Sequence, residues 1–136
     1  MAVAASLAGR TFPPTVVHEV SADSVAAFAA ATGTPYAGGD PAPATYPIVV
    51  AFTAMQELMA DPEVGIELHR VVHGQQKFVH RRPIVVGDRL RAELTVTGLR
   101  QIAGTDIVTT SSAVTDETGD LVCTAEATLV HRAGEQ

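Results

Sequence analysis

Five histidines, fifteen carboxylates and one cysteine are the side chains of this 136-residue sequence that could move protons, hold a metal or attack an electrophile. Most of the imidazoles gather in one stretch. His69, His73 and His80 fall among Gln75, Gln76, Lys77, Arg81 and Arg82, and the stretch closes on Pro83 and Gly87-Asp88. On a helix, His69 and His73 would share a face and could hold zinc. Their neighbours read as strand and no cysteine is matched to them, so neither a metal nor a cofactor is expected. His73 and His80 are expected to bond backbone groups near a sheet edge. His18 and His131, near strand ends, are expected to be solvated. Cys123 shares a strand face with Leu121 and Ala125, which predicts packing and not nucleophilic attack. Asp40 is expected to accept backbone N–H groups of its own loop, and Asp88 to close the turn after Gly87.

Charge and composition narrow the classes. The formal net charge is −6, and no basic patch of nucleic-acid size exists. Lys77, Arg81, Arg82, Arg89 and Arg91 cluster loosely and read as a solvated strand face or as a patch for phosphates. One cysteine permits no intrachain disulfide and fits a reducing compartment. No apolar run reaches membrane-span length, and the alanine-rich start lacks a basic leader. A cytoplasmic protein of one domain, residues 1–136, is the expectation.

The elements that would position these residues can be read in order. Thr15 to Val20 predicts a short strand. Ser21 is a helix N-cap with Asp23 in the first turn, Val25, Phe28, Ala29 and Thr32 form an apolar stripe, and Gly33 ends the helix. The proline- and glycine-rich run from Thr34 to Ala44 is a loop. Thr45 or Tyr46 caps a second helix, Pro47 to Ala60, with Pro47 in its first turn. That helix is apolar almost all round, with only Thr53, Gln56 and Glu57 as a polar stripe, so it should be wrapped by other elements. Period two then takes over. A strand is expected from about Leu68 to Arg82. Leu90, Ala92, Leu94 and Val96 mark the next, Asp106 to Thr115 a third, and Leu121 to Val130 the last. Tight turns at Ala103-Gly104-Thr105 and Glu117 to Asp120 make them antiparallel. The order predicts an α+β hotdog fold, a curled antiparallel sheet around a buried helix. Its open edge should be covered by a dimer or pseudo-dimer.

The ordered set Val-His-Gly-Gln-Gln-Lys-Phe (72–78), His-Arg-Arg-Pro (80–83) and Val-Gly-Asp-Arg-Leu (86–90) resembles the MaoC-like dehydratases. It is most similar to the N-terminal-type single-hotdog subunits that pair with a catalytic partner in (3R)-hydroxyacyl-carrier-protein dehydratases. Gly9 to Pro14 and Ala44 to Pro47 are similar to the same group. The resemblance implies dehydration of a 3-hydroxyacyl thioester, which removes an α-proton and expels hydroxide and so needs a base and an acid. It implies an Asp, with a His five residues later, on the loop entering the buried helix. It also implies that the helix N-terminus can hold the thioester oxygen. Here Asp40 is the one acid in that loop, Thr45 stands where the His would be, and the Asn-Pro step is missing.

No catalytic residue is therefore carried over. The chain is expected to bind the acyl group, with Thr45, Tyr46, Val49, Phe52 and Met55 lining a tunnel. Its expected partners are a catalytic hotdog subunit or a second copy of itself, and an acyl-carrier-protein or coenzyme A thioester, with no membrane. Two alternatives stand beside this reading: a hotdog thioesterase in which Glu57 activates water, and a homodimeric acyl-binding scaffold.

Overall fold

The computed structural model describes residues 5–132. A two-residue strand β1 (His18–Glu19) leads into α1 (Ala22–Thr32) and then α2 (Ile48–Ala60). Four long strands follow: β2 (Val71–His80), β3 (Arg89–Ile102), β4 (Thr105–Thr115) and β5 (Leu121–Arg132). They form one antiparallel sheet in the order β1-β3-β4-β5-β2. The sheet curls around α2, which packs across β3 and β4. This is the expected hotdog architecture.

The period-two reading locates the inner face. Leu90, Ala92, Leu94 and Val96 are fully buried, as are Val108, Val114 and Cys123. Small side chains, Ala92, Thr110, Ser112, Ala125 and Ala127, occupy much of that face, which leaves room for the helix. Ala103 and Gly104 join β3 to β4 with φ of 49° and 81°, the positive pair that a two-residue hairpin requires.

Three expectations need correction. The strand predicted over Thr15 to Val20 counts only His18 and Glu19 as strand. The preceding chain still runs along β3, with Gly9, Phe12 and Thr15 N–H groups donating to Val96, Leu94 and Ala92 carbonyls at 2.8–2.9 Å. Pro13 and Pro14 have no N–H, so the ladder is interrupted. Second, α2 starts later than predicted: Pro47 is its N-cap, and no side chain caps it. Third, α2 is not wrapped on all sides. Val50, Ala51, Ala54, Met55 and Leu58 face the core, whereas Phe52 is 42% exposed and Gln56, Glu57 and Ala60 are also exposed. By contrast, α1 follows the sequence closely. The Ser24 N–H donates to Ser21 Oγ at 3.0 Å, and Gly33 closes the helix at φ 69°.

Candidate functional site

An open groove of about 700 Å³ lies between the start of α2, α1 and the edge strand β2. Phe28, Ile48 and Phe78 give it apolar walls, and Thr32, Thr34, Thr45, His73 and Gln76 give it hydrogen-bonding groups. β2 is the last strand of the sheet, so its outer backbone groups face away from β5. A β-bulge shapes this edge. Pairing steps from His73↔Leu129 to Gln75↔Thr128, which leaves Gly74 as the extra residue. The bulge puts His73 and Gln76 on one face, where Nε2 of His73 and Oε1 of Gln76 are 3.0 Å apart. Further along α2, Phe52, Gln56, Met59 and Ala60 line a smaller recess of about 290 Å³.

The first turn of α2 has its donors occupied. Ile48, Val49 and Val50 N–H groups donate to the carbonyls of Thr45, Tyr46 and Pro47 at 3.0–3.1 Å, and Tyr46 N–H to that of Pro43 at 2.9 Å. Pro47 has no N–H to offer. Tight turns through Pro43 to Pro47 thus consume the groups that usually make a helix N-terminus an anion site. Asp40 is equally engaged: its Oδ2 accepts the Ala37 N–H at 3.0 Å, as expected for a loop carboxylate.

Beneath the groove lies a polar cluster. Tyr46 is fully buried, and its Oη stands 2.8 Å from His18 Nε2 and 2.7 Å from Ser24 Oγ. The rings of Phe28 and Tyr46 pack in a T-shaped arrangement, centroids 5.5 Å apart. Burial lowers the His18 pKa below its ordinary 6.5. Burial also raises that of Tyr46, and the Ser24 hydrogen bond partly offsets the rise. With both rings neutral, the phenol's one proton and two lone pairs suffice for both contacts. The cluster ties β1, α1 and the entry to α2 into one unit.

Comparison with known proteins agrees with this geometry. Residues 6–125 match a family model described as the FAS1-like, dehydratase domain region. The chain belongs to this family. It is 39% identical over 149 aligned residues to a UPF0336 protein of Streptomyces griseus, covering 100% of this chain and 99% of the relative. A UPF0336 protein of Leifsonia xyli is 38% identical, with 96% of each covered. Among solved structures, a chain of the C-terminally truncated HadBC (3R-hydroxyacyl-ACP dehydratase) complex of Mycobacterium tuberculosis superposes with a TM-score of 0.77. It is 25% identical and covers 91% of this chain and 96% of that one. The (R)-hydratase of A. caviae shares the fold at a TM-score of 0.64 and 23% identity, with 96% and 100% covered. The solved neighbours share the hotdog fold, and a single-hotdog subunit fits among them.

For a member of this dehydratase family, the positions of the predicted residues matter. Of the five tunnel candidates, Thr45 lines the groove and Phe52 lines the smaller recess. Tyr46 and Met55 are buried in the core, and half-buried Val49 packs against it, so these three support the cavities from behind. Ile48 and Phe78, which line the groove, were not among the candidates. Gly74 inside a strand pattern was the available signal for the bulge.

Three histidine expectations are corrected. His131 is not solvated: it is fully buried, with Nδ1 2.9 Å from Asp106 Oδ2. Its Nε2 accepts the Glu67 N–H at 3.0 Å, so the pair joins the segment before β2 to the sheet and has no route to a substrate. His18 is half-buried on Tyr46. His80 does bond backbone, with Nε2 2.7 Å from the Ala44 carbonyl oxygen, whereas His73 bonds a side chain. Among the cations, Arg82 is held by Asp88 and Asp116, and Arg89 by Glu19. Asp88 also accepts the Val85 N–H, closing its turn as expected. Glu57 points outward from α2. Cys123 is buried and its thiol pKa is raised by burial, which fits packing. No group of three or more metal-ligating side chains occurs among the described residues, and no helix there is long and apolar enough to cross a membrane.

Proposed function

We propose that this chain is the acyl-thioester-binding, non-catalytic half of a (3R)-hydroxyacyl-thioester dehydratase. The observation that carries the reading is the chemistry at the start of α2. The sequence has no histidine between His18 and His69, Asp40 is committed to its loop, and the first N–H groups of α2 are already donated. A base for the α-proton, an acid for the leaving oxygen and donors for the developing oxyanion must then come from a second hotdog subunit. This chain supplies binding. Thr45 and the groove hold the region of the thioester, and the recess beside Phe52 takes the acyl tail.

The partner meets this chain along β2. Val72 and Val79 are exposed on that edge strand. An unpaired edge with apolar side chains is a ready surface for a second sheet. The HadBC structure is a complex, and the same kind of arrangement is proposed here. A cytoplasmic setting fits a chain whose single thiol is buried.

Co-expression with a hotdog chain that carries the Asp and His tests this assignment. The expected result is a stable heteromeric complex whose preference among acyl lengths changes when Phe52 is replaced. Self-association alone, with no affinity for such a chain, would favour the scaffold reading. Thioester hydrolysis abolished by Glu57→Ala would favour the thioesterase reading.

A further inference from the structure

We infer that the segment from Leu7 to Thr15 is a displaceable guard over a second strand-pairing surface, the β3 edge, and that the partner this edge fits when bared is the β2 edge of another copy of the chain. A sheet has two edges, and each offers a row of backbone groups to a further strand. The two edges here differ, whatever the role in dehydration. β2 ends the sheet on one side. It runs for ten residues without a proline, and Val72 and Val79 are exposed on it. On the other side β3 has fourteen residues, of which β1 pairs only with Arg89 and Leu90.

The guard takes up the next stretch. Both outward groups of Ala92 are used: its N–H donates to Thr15 Oγ1 at 3.0 Å, and its carbonyl accepts the Thr15 N–H at 2.9 Å. Both of Val96 are used as well, its N–H donating to the Arg10 carbonyl at 2.9 Å and its carbonyl accepting the Gly9 N–H at 2.8 Å. Between them the Leu94 carbonyl accepts the Phe12 N–H at 2.9 Å. Past Val96 the bulge at Thr97 shifts the register with β4, which blunts the rest of the edge. Nor does the guard become a new edge. Pro13 and Pro14 have no N–H to turn outward, and Gly9 bends the chain at φ 85°.

Few side chains fasten it. Leu7 and Phe12 are buried. Arg10 lies over the Phe12 ring, 4.5 Å from its centroid, and meets Asp61, the C-cap of α2, at 2.9 Å. That ion pair is open to water, which keeps it weak. With the guard in place β2 is the one bare edge, and strand pairing stops at a pair. With β3 bared, the sheet has two unlike edges, and unlike edges join head to tail into rings or open-ended chains.

The test uses the full chain with a reducible clasp. Thr11 and Thr95 form an antiparallel bridge pair with Oγ1 atoms 2.9 Å apart, so Thr11→Cys with Thr95→Cys can be joined by a disulfide. Gly9→Pro and Arg10→Ala are added to loosen the guard. Oxidised, this protein should keep the parent's mass in light scattering. Reduced, its weight-average mass should rise about twofold or more as concentration increases, and reoxidation after dilution should restore it. Adding Val72→Lys and Val79→Lys on β2 should abolish the rise. Circular dichroism checks that the fold survives reduction; should it not, Arg10→Ala alone with the same clasp is measured instead. Unchanged mass on reduction overturns the inference, whether the Ala92 and Val96 amides stay protected from hydrogen exchange or exchange freely. Growth that persists with both lysines on β2 overturns it too.

Discussion

Replacing Phe52 with alanine separates the roles of the two halves of its surface. The residue is 42% exposed. A phenylalanine has about 200 Å² to bury, so about 80 Å² is left uncovered by the chain itself. At about 25 cal/mol per Å² this portion is worth about 2 kcal/mol to the group that covers it. The covered remainder contributes at most about 3 kcal/mol to the fold, since extended-chain references overstate burial. If the acyl tail covers the exposed part, Phe52→Ala should weaken a palmitoyl thioester roughly 30-fold and leave a butyryl thioester nearly unchanged. Titration of the assembled protein with both thioesters measures this, and urea denaturation reports the fold separately. Equal weakening of both thioesters, or no weakening of either, would refute the placement of the acyl tail beside Phe52.

A Cβ on Gly98 would stand 2.7 Å from Thr109 Oγ1, so Gly98→Ala should cost about 1–3 kcal/mol in denaturant unfolding; adding Thr109→Ala should restore part of it. His18 has a folded pKa below its ordinary 6.5 because of burial. Its neutral form therefore adds stability that is fully present above pH 6.5 and is lost as pH falls through the lowered value. The stability gap between the parent and His18→Asn should shrink over that interval, and a flat gap would contradict the neutral Tyr46 cluster. Asp116 is held at about 2 rather than 3.8, chiefly by the Thr118 hydroxyl, with backbone N–H groups and Arg82 adding to it. Its contribution is present above pH 3.8 and is lost as pH falls toward 2, so melting curves of the parent and Asp116→Asn should converge in that window.

The elements governed by a single local rule were legible in the sequence. Alternation at Leu90, Ala92, Leu94 and Val96 had one solution, because a one-residue slip would turn every side chain to solvent. Ser21 and Gly33 bound α1 by capping chemistry that acts over three or four residues. Features that depend on several elements at once were not legible. The groove needs α1, α2 and β2 together, and its His73–Gln76 pair depends on a bulge in the register with β5. The loss of free donors at α2 follows from turns between Pro43 and Pro47, whose geometry their composition does not fix. His131 is an instructive miss: it continues the inward series Cys123, Ala125, Ala127 and Leu129 by period two, but its polar type suggested a solvated end. Asp106 on the adjacent strand supplies the partner that makes its burial possible.

The central assignment is tested most directly by turnover. The purified chain should dehydrate a (3R)-hydroxyacyl-coenzyme A thioester no faster than buffer, and its addition to a histidine-bearing hotdog partner should raise the rate well above that of either chain alone. Full turnover by this chain without a partner would contradict the account.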